Sequence, residues 1–195
     1  MFLFSMMERK YFDEEEIEQS FAEIRLDGYE YIDCIFRKCD FSYAELYNCR
    51  FEDCVFENCN FSMTKMDKTV HNNSKFNHCK LQGIAFEQCS NSMFRVTFES
   101  CSLSYTSFNE KKIPKTLFRK SELKAVDFSG CDLSNSKFEN CELPDCIFSQ
   151  TILNGVDFSS ATQFRIDPEI NRLKGARFDA LSLANLLDKY GIVIV

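Results

Sequence analysis

The chain has no tryptophan, 3 prolines, 6 glycines and only 2 histidines in 195 residues. So little Pro and Gly excludes collagen-like and low-complexity chains. Two histidines, His71 and His78, cannot build a His-rich metal centre, and no nucleophile or phosphate-loop motif accompanies them. No apolar run approaches the roughly 20 residues that cross a bilayer, so no membrane span is expected. The apolar start Met1 to Met7 lacks a basic n-region and runs into Glu8, Arg9 and Lys10, unlike a secretory signal. Positive charge is also short: 23 Lys+Arg against 30 Asp+Glu leave a net charge of −7. That balance argues against direct nucleic-acid binding through the phosphate backbone.

What is abundant is phenylalanine, 21 residues, and cysteine, 11 residues. In a secreted chain so many cysteines would imply a disulfide framework. Without a secretory signal the expectation is a cytoplasmic protein with reduced thiols.

The phenylalanines follow a period of five. From Leu26 the series is Tyr31, Phe36, Phe41, Leu46, Phe51, Phe56, Phe61, Met66, His71, Phe76, Leu81 and Phe86. The phase then slips by two to Met93, and resumes through Phe98, Leu103, Phe108, Ile113, Phe118, Leu123, Phe128 and Leu133. It ends with Phe138, Leu143, Phe148, Leu153 and Phe158. Neither a helix nor a simple strand has this period. Two residues before each centre stands a small or compact one, such as Cys34, Cys39, Ala44, Cys49, Thr106 or Ser121. Every cysteine falls in this column, and free cysteine is commonly a core residue. Gly or Asn often lies two after the centre, as at Asn48, Gly83, Gly130 and Asn140, where a turn needs positive φ.

A second period of 20 is superimposed. Phe98, Phe118, Phe138 and Phe158 form one set, and Phe108, Phe128 and Phe148 another. Phe128 is therefore expected to be buried between Phe108 and Phe148.

Segments such as Ala125-Val-Asp-Phe-Ser-Gly-Cys-Asp-Leu-Ser134 resemble the pentapeptide-repeat family, over about residues 21–163. The resemblance implies an all-β fold: a right-handed quadrilateral parallel β-helix with four repeats per coil. The repeats then make about seven coils, roughly 32 Å long at about 4.8 Å per coil. On this reading residues 1–20, with Asp13, Glu14, Glu15, Glu16 and Glu18, form an acidic N-terminal cap. Residues 164–195 carry a capping helix from Ala180 to Tyr190, with Asp179 as N-cap, Gly191 as stop, and Leu181, Ala184, Leu187 and Leu183 over the core. A terminal strand Ile192 to Val195 follows. Left unpaired, that strand would be a liability, so Leu187, Tyr190, Ile192, Val193, Ile194 and Val195 are the expected homodimer interface.

Three stretches break the pattern. Residues 67–75 put His71 inward beside Asn72 and Asn73, residues 87–92 hold the slip, and residues 109–117 put Lys111 inward near Lys112, Pro114 and Lys115. Such segments are candidate partner contacts. Charge is segmented as well. Residues 26–60 are net −5, residues 61–125 net +6 and residues 126–163 net −5. The last segment holds Asp127, Asp132, Glu139, Glu142 and Asp145, a candidate acidic saddle. No catalytic, cofactor or metal residues are expected.

Within the family the chain resembles the Qnr-type quinolone-resistance and microcin-immunity proteins. The likeness lies in its length, its mid-chain slip and the ending Ile166-Asp-Pro-Glu-Ile-Asn-Arg172 through Gly191. That resemblance implies a dimeric DNA mimic that binds DNA gyrase or topoisomerase IV. A general protein-interaction scaffold is the alternative.

Overall fold

The computed structural model describes residues 10–192. Within them the chain winds into a parallel β-solenoid whose successive coils are hydrogen-bonded one above the next. Four columns of inward side chains define four faces. The first runs Phe12, Tyr31, Phe51, His71. The second carries the longest sheet, with Ile17, Phe36, Phe56, Phe76, Phe98, Phe118 and Phe138 in register. The third follows the bridges Ser20, Asp40, Asn60, Lys80, Ser102, Glu122 and Glu142, with Phe41, Phe61, Leu81 and Leu103 inside. The fourth begins with Leu26 and Leu46 and reaches Phe86, Phe108, Phe128 and Phe148.

The period of five follows from how each side is built. A strand of about three residues turns its central side chain inward, and the next residue but one turns the corner in the left-handed region. Asn48, Asn58, Asn135 and Asn140 take that corner as expected, but so do Lys38, Glu110 and Lys120. These residues carry the strain because the ladder on both sides holds the corner in place.

Ring stacking is the main packing device. Phe128 is fully buried, its ring centroid 5.4 Å from Phe108 and 5.3 Å from Phe148, with interplanar angles of 10° and 14°. All eleven cysteines are buried free thiols. They do more than fill space. Cys39, Cys54, Cys59, Cys79 and Cys101 each donate to the carbonyl of a central residue one coil below, at 3.2–3.4 Å. Thr64 and Thr151 do the same at 2.7 and 2.9 Å. The small column therefore favours Cys, Ser and Thr because an inward carbonyl there needs a donor. Burial pushes Cys49 and Cys141 up to about 11, and Cys131 up to about 12.

Four details differ from the sequence expectation. Among the described residues Tyr11–Asp13 and Glu16–Ile17 already join the ladder, and bridges continue to Arg177. The paired coils thus run past both residue 21 and residue 163. At the slip, Phe94 rather than Met93 turns inward: Phe94 is buried, while Met93 has φ +56° and is 58% exposed. The two inserted residues appear in the register, since Phe76 pairs with Phe98 instead of a residue 20 ahead.

The C-terminal helix is not α-helical. It consists of two 3-10 segments, Ala180–Leu186 and Asp188–Tyr190. Asp179 caps the first by accepting from the Leu181 amide at 2.9 Å, and Gly191 ends the second with φ +60°. Because residues three apart eclipse in a 3-10 helix, Leu181, Ala184 and Leu187 line up on one side, and that side faces solvent. Leu181 is 91% exposed. Leu186 and Phe178 pack on the core instead, Phe178 stacking on Phe158 at 5.4 Å. Of the expected terminal strand, Val193, Ile194 and Val195 lie outside the described residues.

Candidate functional site

The candidate saddle acids do not converge. Asp127 lies on the fourth face beside Phe128, Asp132 on the first beside Leu133, and Glu139 on the second beside Phe138. Glu142 is on the third face, and Asp145 is at its corner with φ +59°. They ring the rod, since consecutive pentapeptides occupy consecutive faces. Several are also engaged locally. Asp127 accepts from the Ser129 amide at 2.8 Å, and Asp132 from the Ser134 amide at 2.9 Å. Asp40 with Ser42 and Asp157 with Ser159 repeat the same contact, at 2.9 and 3.0 Å. These aspartates brace the outer backbone before each corner. Glu139 pairs with Arg119 at 2.8 Å.

The irregular segments do not project. Val70–Asn72 pairs with Arg50–Glu52, and Lys112 bridges Asp132, so both stretches remain in the ladder. His71 is fully buried and stacks on Phe51 at 5.2 Å. Its Nδ1 lies 3.2 Å from the Ser74 hydroxyl, while Nε2 is buried without a partner. Burial, then the charge of Lys111, pushes its pKa down to about 3. Lys111 is buried too. Its Nζ donates to the carbonyl oxygens of Cys89 at 2.5 Å and Ser90 at 3.2 Å, and lies 4.3 Å from the Phe94 ring centroid. Burial lowers the pKa of this ammonium. Lys111 thus ties the two-residue insertion to the next coil. The insertion stays against the rod because an inward lysine satisfies its carbonyls.

Asn72 donates to Glu52 at 3.0 Å and accepts from Arg95 at 3.1 Å, and Asn73 donates to Asp53 at 2.5 Å. Lys112 and Lys115 are exposed. Of this group, then, only Asn73, Lys112 and Lys115 offer open surface, and they sit on coils separated by the insertion.

At the C-terminal end, Lys189 bridges Asp167 at 2.7 Å and Glu169 at 2.6 Å, and the Tyr190 hydroxyl donates to Glu169 at 2.6 Å. Those two carboxylates raise the pKa of Lys189. The clasp holds the 3-10 arm across the last turns while leaving apolar side chains outside. Ile170, Leu183, Leu187, Tyr190 and Ile192 are all exposed.

A different surface escaped the sequence reading. Tyr43, Met63 and Tyr105 occupy one corner column and are 62%, 50% and 60% exposed. Reading the corner position at the period of 20, where Tyr and Met replace polar residues, would have found it. Among the described residues no group of three or more His, Cys, Asp or Glu is placed to hold a metal ion. No described helix is long and apolar enough to cross a membrane.

A stacked solenoid with no convergent polar centre among its described residues is a repeat architecture, and the family comparison agrees. Residues 30–91 and 91–162 match the family described as Pentapeptide repeat region, and the chain belongs to that family. Among solved structures it is similar to QnrB1, described as a plasmid-mediated fluoroquinolone resistance protein. A trypsin-treated variant of QnrB1 aligns with TM-score 0.65 and 20% identity, covering 95% of this chain and 91% of that one. Full-length QnrB1 aligns with TM-score 0.63 and 18% identity, covering 92% of this chain and 100% of that one. HetL, a pentapeptide-repeat protein from the cyanobacterium Nostoc sp. strain PCC 7120, aligns with TM-score 0.43 and 13% identity over 91% of this chain and 92% of HetL. No curated protein matches the sequence.

Proposed function

We propose that the chain is a non-enzymatic, cytoplasmic protein-binding rod that engages a type II topoisomerase, DNA gyrase or topoisomerase IV, and shields it from quinolones or peptide toxins. The observation that carries this reading is the end-to-end likeness to a fluoroquinolone-resistance protein, 95% of one chain and 91% of the other. The rod acts as a homodimer joined through its C-terminal arm, a reading supported by the exposed Leu183, Leu187, Tyr190 and Ile192. Mimicry of DNA lies in shape rather than charge. Duplex DNA carries roughly 19 charges over about 32 Å, whereas residues 26–163 sum to −4. Titrating the protein into a gyrase supercoiling assay with ciprofloxacin should restore supercoiling, and no protection at any concentration would reject the reading.

The second reading is a scaffold of the same family with no topoisomerase partner. It is favoured by the scatter of the five acids over all four faces and by the absence of a projecting loop at residues 67–75 and 109–117. Binding of neither topoisomerase in a direct assay would leave this reading standing.

A further inference from the structure

The ladder of the fourth face lacks a rung. Bridges climb it from Ala85 through Ser107 and Asp127 to Ile147 and stop there, while the first face goes on to Arg172 and the second to Arg177. Asp167 and Pro168 stand 20 residues on from Ile147 and Phe148, but the chain there runs unpaired into a turn at residues 168–170. An open strand edge is left. Ile147 takes both bonds of the rung below, its amide donating to the Val126 carbonyl and its carbonyl accepting from the Phe128 amide, each at 2.9 Å. The next rung offers the same pair, the Cys146 carbonyl and the Phe148 amide. Neither has a hydrogen-bond partner among the described residues, and the Gln150 amide has none either.

This edge lies in a groove. A cavity of about 320 Å³ is floored by residues 146–148 and walled by residues 165–167 and by Asn185, Leu186, Asp188 and Lys189 of the arm. The charges of its walls are already matched, Arg165 with Asp188 at 3.3 Å and Lys189 with Asp167 at 2.7 Å. Ile147, Phe148, Ile166 and Leu186 supply apolar surface. The fitting occupant therefore has an extended backbone to complete the rung and apolar, uncharged side chains. The sequence supplies one: Ile192 to Val195 are four successive β-branched residues without charge. Ile192 is exposed and does not line the groove of its own chain, so the segment starts outside it.

We propose that the groove is the seat of a second copy's tail: Ile192 to Val195 of one chain add a strand to the open edge at Cys146 and Phe148 of the other. This exchange rests on the homodimer reading and names the contact that joins the two copies. A twofold contact is isologous, so each copy gives one tail and receives one. Both edges are closed at once, the Ile147 rung and the apolar tail that would otherwise stand open.

The test co-expresses two singly substituted full-length chains, Ile147→Cys and one of Val193→Cys, Ile194→Cys or Val195→Cys, and treats them with oxidised glutathione. The native thiols are buried and Ile147 is exposed. The tail residue in register with Ile147 should yield a covalent heterodimer. A held pair reacts at a millimolar effective concentration, so at micromolar protein it should form about a hundredfold or more faster than with Tyr43→Cys in place of Ile147→Cys. Hydrogen exchange reads the backbone without any substitution in the groove: the Phe148 amide should be protected in the parent and lose that protection when Gly191 to Val195 are deleted. If the parent sediments as a dimer and the deletion leaves Phe148 exchange unchanged, the exchange of tails is overturned and the homodimer stands. Closure within a chain carrying both cysteines, with no heterodimer from the paired chains, would seat the tail in its own groove and also overturn it. A parent that is monomeric at every concentration would remove the homodimer and the exchange together.

Discussion

At His71 a stack of rings is interrupted by an imidazole whose Nε2 has no partner and no access to water. An unpaired buried polar group costs about 1–3 kcal/mol. His71→Phe should therefore raise stability by about that amount, read from urea unfolding at neutral pH. Its titration supplies a second signature. The folded pKa of about 3 lies below the ordinary imidazole value of 6.5, so the unfolded chain binds the extra proton between those values. Stability contributed by neutral His71 is complete above about 6.5 and is lost as pH falls towards 3, by at most about 1.4 kcal/mol per pH unit. His71→Phe should remove that part of the acid slope. Lys111 has the opposite character, because its contacts are satisfied. Lys111→Ala leaves the Cys89 and Ser90 carbonyls without their donor and should cost about 2–4 kcal/mol. Trypsin should then cut after Arg95, beside the loosened insertion.

The elements are stable as stacks, so perturbing one ring affects two neighbours. Phe128→Ala leaves a cavity between Phe108 and Phe148 and should cost about 3–5 kcal/mol in denaturant unfolding. The C-terminal arm is a separate case. It is held by the ion pairs of Lys189 with Asp167 and Glu169 and by Leu186, not by a buried apolar face. Lys189→Ala should speed amide exchange from Ala180 to Tyr190 while leaving the melting temperature of the coils unchanged. Equal exchange in the two proteins would mean that Leu186, the Tyr190–Glu169 hydrogen bond and the Arg165–Asp188 pair hold the arm without Lys189.

For the whole molecule, the buried thiols and the proposed homodimer give separate tests. Without reductant, the folded protein should alkylate slowly, and denaturation should expose all eleven cysteines. Deleting Gly191 to Val195 should yield a monomer in sedimentation. The rod should remain folded because its coils contact only their neighbours. A truncated chain that still sediments as a dimer would move the interface elsewhere.

The period of five, the period of 20, the inward columns and the buried Phe128 stack were all legible in the residues. They are local rules, repeated until chance cannot explain them. The choice of Phe94 over Met93 was not legible, since a spacing rule cannot weigh a phenyl ring against a flexible thioether where two extra residues must be absorbed. The arm was misjudged for a related reason: Asp179 and Gly191 mark where a helix starts and stops, but not its pitch, and pitch decides which leucines face the core. Segment charge was the most misleading. Asp127, Asp132, Glu139 and Glu142 are neighbours in sequence and lie on four different faces in space. Tyr43, Met63 and Tyr105, far apart in sequence, share one corner. The sequence by itself determined the repeat and its core because those depend on short-range periodicity. Which side chains share a surface was decided by the tertiary structure, because each five-residue step turns the chain onto a new face and only the return after a full coil brings residues together.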